Sequence, residues 1–109
     1  MILSQVNKLF DSTGSCKQGF LTANLDEIIN SFGYPTITNR CDKTQVEWNI
    51  IFELEDGRTI KSTIYDYCID EDIESNNEWQ LGGYDPAAAA CVNAVIALDR
   101  IGMGWKNAS

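Results

Sequence analysis

The feature that most constrains the fold is a run of alternating apolar and polar residues in the middle of the chain. Apolar side chains stand at every second position, and polar ones mostly between them: Val46, Trp48, Ile50, Phe52 and Leu54. Because successive side chains of a strand point to opposite faces, this period of two predicts a half-buried strand. Asp56-Gly57 then predicts a tight turn, and the β-branched and aromatic residues of 58–68 predict a returning strand.

Two segments have the signals of helices. In the first, four apolar residues share one helical face, namely Leu25, Ile28, Ile29 and Phe32. Asn24 and Glu27 have the spacing of a capping box, and Gly33 and Pro35 end the helix. In the second, Asp85-Pro86 predicts a helix start, and residues 87–101 continue it. Its predicted buried stripe comprises Ala88, Cys91, Val92, Val95 and Ile96.

Two further elements complete the predicted fold. Ile2, Val6 and Phe10 stand four residues apart, which predicts a short N-terminal helix over residues 2–11. Residues 78–81 predict a third strand. The expected fold is therefore a single α+β domain over residues 1–109, in the order α-α-β-β-(β)-α. It would have two layers, with an antiparallel meander of about three strands packed against the helices.

Composition excludes several classes of function. Sixteen Asp and Glu against eight Lys and Arg give a net charge of −8, which disfavours direct binding to nucleic acid or to an anionic membrane. The absence of histidine removes His-based acid–base catalysis, Ser-His and Cys-His pairs and every His-containing metal site. We therefore expect neither catalysis nor a cofactor or metal ion.

Cysteine spacing and the N-terminus bear on the compartment. Cys16, Cys41, Cys68 and Cys91 are too far apart in sequence for a zinc knuckle or a thioredoxin-like motif. The first residues lack a continuous apolar stretch, and no segment approaches the length of a membrane-spanning helix. We expect a cytosolic protein with reduced thiols.

An acidic run follows the second predicted strand. Across residues 66–78 it holds six carboxylates and no basic residue, namely Asp66, Asp70, Glu71, Asp72, Glu74 and Glu78. The run is either a solvated loop or a negative patch that occupies a basic groove of a partner, as a nucleic-acid mimic would. A weak cation site is a third interpretation, but the spacing does not match a calcium loop.

Aromatic residues surround this run and suggest a contact surface. Tyr65, Tyr67, Tyr84 and Trp105 are candidates for an aromatic face rimmed by acids. Trp48 and Trp79 fall in strand patterns, where packing in the core is the usual role, and Trp105 either caps the core or contacts a partner. The predicted partner-binding set is Tyr65, Asp66, Tyr67, Asp70, Glu71, Asp72, Glu74, Trp79, Tyr84 and Trp105.

Several of these motifs occur in an order that resembles a loose family of short proteins encoded by tailed bacteriophages. The matching segments are Phe32-Gly33-Tyr34-Pro35, Glu47-Trp48, Asp56-Gly57, Thr63-Ile64-Tyr65-Asp66 and Trp79-Gln80-Leu81-Gly82-Gly83. They span residues 20–83. The resemblance implies a phage gene product made inside a bacterium, and small acidic phage proteins are often inhibitors of host immunity.

Three hypotheses of function follow. The first is a non-enzymatic protein that blocks a bacterial anti-phage defence component, such as a CRISPR system, by occupying a basic surface of a host protein. The second is an oligomeric sponge for an immune signalling nucleotide, which requires basic residues, from among Arg40, Arg58, Lys61 or Arg100, to converge with Gly82-Gly83 before the last helix. The third is a phage accessory protein with no role in defence.

Overall fold

The computed structural model describes residues 2–41, 44–66 and 72–102 of the chain. Its strands are β1 (Ile2–Asn7), β2 (Cys16–Thr22), β3 (Ile37–Cys41), β4 (Thr44–Leu54), β5 (Thr59–Tyr65) and β6 (Glu78–Gly83). Its helices are α1 (Leu25–Phe32) and α2 (Ala87–Arg100), and a short 3-10 turn spans Ile73–Ser75. All strand pairs are antiparallel, and the sheet runs β1-β4-β5-β6-β2 with β3 also paired to β4.

The predicted order of elements is wrong. The described chain runs β-β-α-β-β-β-β-α, and its six-stranded sheet outweighs the two helices. Residues 2–7 form a strand instead of a helix, because the edge of β4 gives them a pairing partner that local spacing does not reveal. A bulge between Ile2 and Ser4 puts Ile2 on the core face and leaves Val6 49% exposed on the other, so the spacing of four between them does not mark a shared buried face.

Three local predictions are confirmed. The hairpin of β4 and β5 turns at Asp56-Gly57, and Gly57 has a positive φ of 91°. Helix α1 begins at the predicted capping box, in which the Asn24 side chain accepts from the Glu27 N–H and the Glu27 carboxylate accepts from the Asn24 N–H. All five residues of the predicted α2 stripe are buried.

The long strand β4 has two different neighbours on one side. Strand β5 covers one edge from Glu47 to Glu53. On the opposite edge, β3 pairs with the start of β4 and β1 pairs with its end, so β3 and β1 lie in line. Asn49 stands at the break between them. Its carbonyl accepts from the Lys8 N–H at 3.0 Å, and its N–H donates to the Thr36 hydroxyl at 2.8 Å.

Two tryptophans of the sheet hold helix α1 at both ends. Trp48 and Trp79 are fully buried and meet edge to face, with ring centroids 5.4 Å apart. The Trp79 indole N–H donates to the Ala23 carbonyl just before α1, and the Trp48 indole N–H donates to the Gly33 carbonyl just after it, each at 2.9 Å. The helix therefore has a fixed position over the sheet.

Helix α2 covers the same face of the sheet and approaches β6 closely. The glycines Gly82 and Gly83 lie inside β6 and pair with both β2 and β5. A Cβ atom on Gly83 would stand 2.5 Å from the Ala88 Cβ and 2.8 Å from the Lys61 carbonyl oxygen. Glycine is required here because α2 and the neighbouring strand fill the space that a side chain needs.

We expect the Gly83→Ala variant to lose about 1–3 kcal/mol of stability, since its methyl group would overpack the contact between sheet and helix. Urea unfolding of the purified protein measures this loss. Adding Ala88→Gly removes one of the two clashes, so the double variant should lose less than the sum of the two single losses. Unchanged stability of Gly83→Ala would contradict the close packing of α2 on β6.

Candidate functional site

The residues of the predicted contact surface differ in their burial and position. Tyr67, Asp70, Glu71 and Trp105 lie outside the described residues. Asp72 and Glu74 are exposed beside and within the 3-10 turn, as a contact surface requires. Tyr65 is partly buried, and Tyr84 is half exposed. Asp66 and Trp79 are both fully buried, so the prediction that they lie on the surface is wrong.

Asp66 is a structural residue at the start of β4. Its Oδ1 accepts from the Gln45 N–H at 3.0 Å and from the Val46 N–H at 2.9 Å. A buried carboxylate needs such donors, because it loses the hydrogen bonds that water would give it. The side chain thereby joins the end of β5 to the beginning of β4 across the sheet.

Trp79 is also buried, because both its ring and its indole N–H have partners in the core. Its ring packs against Trp48 and its N–H is used on the Ala23 carbonyl, so neither part of the side chain faces a partner. The sequence places Trp79 next to acidic residues, but its position in β6 turns it toward the helices.

The predicted surface over residues 65–84 is not continuous. Glu74 precedes β6 and Tyr84 follows it, and a six-residue strand is about 20 Å long. The Tyr84 hydroxyl donates toward the carbonyls of Asp11 and Thr13, at 3.1 and 2.9 Å, and so helps to hold the loop between β1 and β2. Tyr84 and the acids therefore lie at opposite ends of the sheet.

A groove of about 620 Å³ lies where helix α1, the start of β3 and the 3-10 turn meet. Its apolar lining comes from Leu25, Ile29, Tyr34, Pro35, Val46 and Ile73, and its polar lining from Asn24, Asp26, Thr38 and Glu74. We call it the acidic groove. Tyr34 is 78% exposed, so its ring stands free at the groove wall.

Carboxylates dominate the charge around the acidic groove. Asp26 on α1 and Glu74 in the 3-10 turn are both exposed, and no described residue that lines the groove is basic. Nearby, Arg100 binds the Glu27 carboxylate through two nitrogens, at 2.6 and 3.2 Å, and this pairing lowers the pKa of Glu27. Arg100 is therefore already committed to Glu27, while neither Asp26 nor Glu74 has an ion-pair partner in the described part of the chain.

The described residues offer little for other chemistries. Burial raises the pKa of the Cys91 thiol, which keeps it in its unreactive protonated form. No group of three potential metal-ligating side chains occurs within the described ranges. Of the residues that a nucleotide sponge requires, Arg58 pairs with Asp56 at the β4–β5 turn, whereas Arg100 lies at the opposite end of the sheet, beside Glu27 and Thr22.

Sequence reasoning missed most of the acidic groove. Leu25 and Ile29 were assigned to the buried helical stripe, and Pro35 was considered only as the end of the helix. The detectable signal was Tyr34-Pro35, an aromatic residue and a proline directly after a helix stop. The contribution of Ile73 and Glu74 depends on a turn about forty residues further along, so local pattern could not reveal it.

Comparison with known protein families, curated proteins and solved structures finds no match to this chain. Within the described residues, neither helix is long and apolar enough to cross a membrane. The function must therefore be argued from the geometry of the chain itself.

We expect Asp66→Asn to destabilise the protein by about 1–3 kcal/mol, because the neutral amide accepts more weakly than the carboxylate and its NH2 group would replace Oδ2, which lies 3.1 Å from the donating Gln45 nitrogen. Chemical denaturation followed by tryptophan fluorescence measures this loss. The matched control Glu74→Gln makes the same chemical change at an exposed site and should stay within about 0.5 kcal/mol of the original protein. Equal stability of the two variants would argue against a structural role for Asp66.

Proposed function

We propose that this chain is a non-enzymatic binding protein whose acidic groove receives an apolar side chain from a basic partner protein. The observation that carries the proposal is the groove itself, which combines an apolar lining with the carboxylates of Asp26 and Glu74. Its volume is in the range of pockets that hold small ligands or anchoring side chains.

The charges support a basic partner. Two carboxylates that have no ion-pair partner among the described residues line the groove, and the chain as a whole carries a net charge of −8. Lys or Arg residues beside an inserted apolar side chain would relieve this repulsion and accelerate the encounter. The same negative charge would repel an acidic partner or the backbone of a nucleic acid.

The fixed position of helix α1 also supports binding. Its two ends are held by the indole N–H groups of Trp48 and Trp79, so the wall that carries Leu25, Asp26 and Ile29 is already in place before a partner arrives. A preformed site avoids the entropic cost of ordering its own residues during association.

The resemblance to short tailed-phage proteins supports a setting for this activity. In that setting the partner is a basic component of a bacterial defence system, in the host cytosol, and binding blocks it by occupying its surface. Against the nucleotide sponge, Arg58 and Arg100 lie apart and each is paired with a carboxylate. A phage accessory protein without a defence role would bind no such host protein.

The test is a pull-down from the bacterial host at low salt, with native mass spectrometry of the eluted complex. We expect a stoichiometric basic protein that added salt releases, since screening weakens contacts between exposed charges. The groove variant Asp26→Asn/Glu74→Gln should retain at least about tenfold less of it, which corresponds to about 1.4 kcal/mol.

The matched control is Glu53→Gln/Glu55→Gln, which removes the same two charges at the β4–β5 hairpin, away from the groove. It should retain the partner as well as the original protein does. Equal retention by the groove variant would refute the groove as the binding site. A bare oligomer that carries a few hundred extra daltons would instead support the sponge.

A further inference from the structure

We infer that the β1 edge of the sheet is a self-association site, at which β1 pairs antiparallel with β1 of a second copy of this chain. Two six-stranded sheets would then join into one continuous sheet around a twofold axis. This inference does not depend on the acidic groove, which is lined by residues outside β1 and is tested by other variants.

The first argument is the contrast between the two ends of the sheet. At the β2 edge, side chains of α2 already bind the backbone: the Asn93 amide donates to the Phe20 carbonyl at 3.3 Å, and the Arg100 guanidinium donates to the Thr22 carbonyl at 2.6 Å. These carbonyls belong to residues two apart along one strand, so they point the same way. A further strand could not pair there without displacing both side chains.

The β1 edge has no such protection. Within the described ranges, no side chain bonds to the backbone of Ile2–Asn7, and the strand contains neither proline nor lysine. Natural edge strands usually carry one of these features, because an unpaired row of N–H and C=O groups invites another strand. The one irregularity is a bulge between Ile2 and Ser4, which leaves Ser4–Asn7 in regular register with β4.

The second argument indicates that the partner at this edge is a second copy of the chain. The segment Ile2–Asn7 has no charged residue, although the chain has a net charge of −8. Leu3 is 61% exposed and Val6 is 49% exposed. Two identical copies can therefore meet at β1 without placing like charges opposite each other, whereas a basic partner would find no complementary charge on the strand.

The third argument is that the strand is already held in shape. The Gln5 amide donates to the Ser31 carbonyl at 2.8 Å, and the Asn7 amide donates to the carbonyls of Phe32 and Tyr34 at 3.0 and 2.7 Å. These bonds direct both side chains toward the end of α1. An antiparallel pair with its twofold axis at Val6 then places the Val6 side chains of the two copies directly across from each other, on one face of the joined sheet.

The experiment is sedimentation velocity of the purified full chain up to about 1 mM, because a contact of one strand pair belongs to the small, weak class of interfaces. We expect a concentration-dependent dimer. Val6→Lys should shift the dimer dissociation constant upward by at least about tenfold, since each interface would bring two cations together. Phe20→Lys is the matched control at the protected β2 edge, where Phe20 is 55% exposed, and it should leave the dimer unchanged.

Amide hydrogen exchange on the unmodified protein provides a second readout that does not depend on the folding of a variant. Raising the protein concentration should slow exchange in residues 2–7 and leave residues 16–22 unchanged. A monomer at about 1 mM would overturn the inference, because even weak strand pairing would populate a dimer at that concentration. A dimer that survives Val6→Lys, or that Phe20→Lys disrupts, would also overturn it.

Discussion

The structure depends on satisfying both edges of β4. This strand of eleven residues lies inside the sheet, and each of its N–H and C=O groups needs a partner because burial without one is costly. The hairpin with β5 supplies one edge. The other edge is divided between β1 and β3, and Asn49 closes the gap with bonds to Lys8 and to the Thr36 side chain. The positions of both neighbouring strands follow from this demand.

The same sheet also determines where a partner can bind. Buried indoles from β4 and β6 hold the two ends of α1, and the Asp66 carboxylate holds the start of β4 beneath it. Asp66 and Trp79, which the sequence assigns to the contact surface, are thus buried and stabilise the sheet and helix α1. The outward residues of α1 and the chain that follows it are left to shape the acidic groove.

Local sequence pattern predicts the elements that carry their own signals. The alternation in β4, the Asp-Gly turn and the Asn24–Glu27 cap depend on neighbouring residues alone, and they appear as expected. Strands β1, β2 and β3 lack such signals: β2 contains Gly19, and β3 contains Asn39 and Arg40. These strands form because distant partners offer them an edge, and a single sequence does not display that edge.

In the candidate site, too, features that depend on neighbouring residues are predictable, and features that depend on distant residues are not. Sequence predicts correctly that Asp72 and Glu74 are exposed, because an acidic stretch without apolar periodicity has nothing to bury. It cannot predict that Asp66 lies inside, since the donors are backbone groups some twenty residues away. The acidic groove escapes prediction because it joins a helix, a strand start and a turn that are far apart in the chain.

The strand pairing also imposes an order of assembly. β1 pairs with a strand that ends at Leu54, and β2 pairs with one that begins only at Glu78. During synthesis β1 must therefore wait until β4 has left the ribosome, and β2 must wait until β6 has. Contacts so distant in sequence slow folding, because a long loop must close before any of them forms. The hairpin of β4 and β5 can close early because its loop is short, and β2, whose partner β6 is made after β5, is the strand that waits longest to join the sheet.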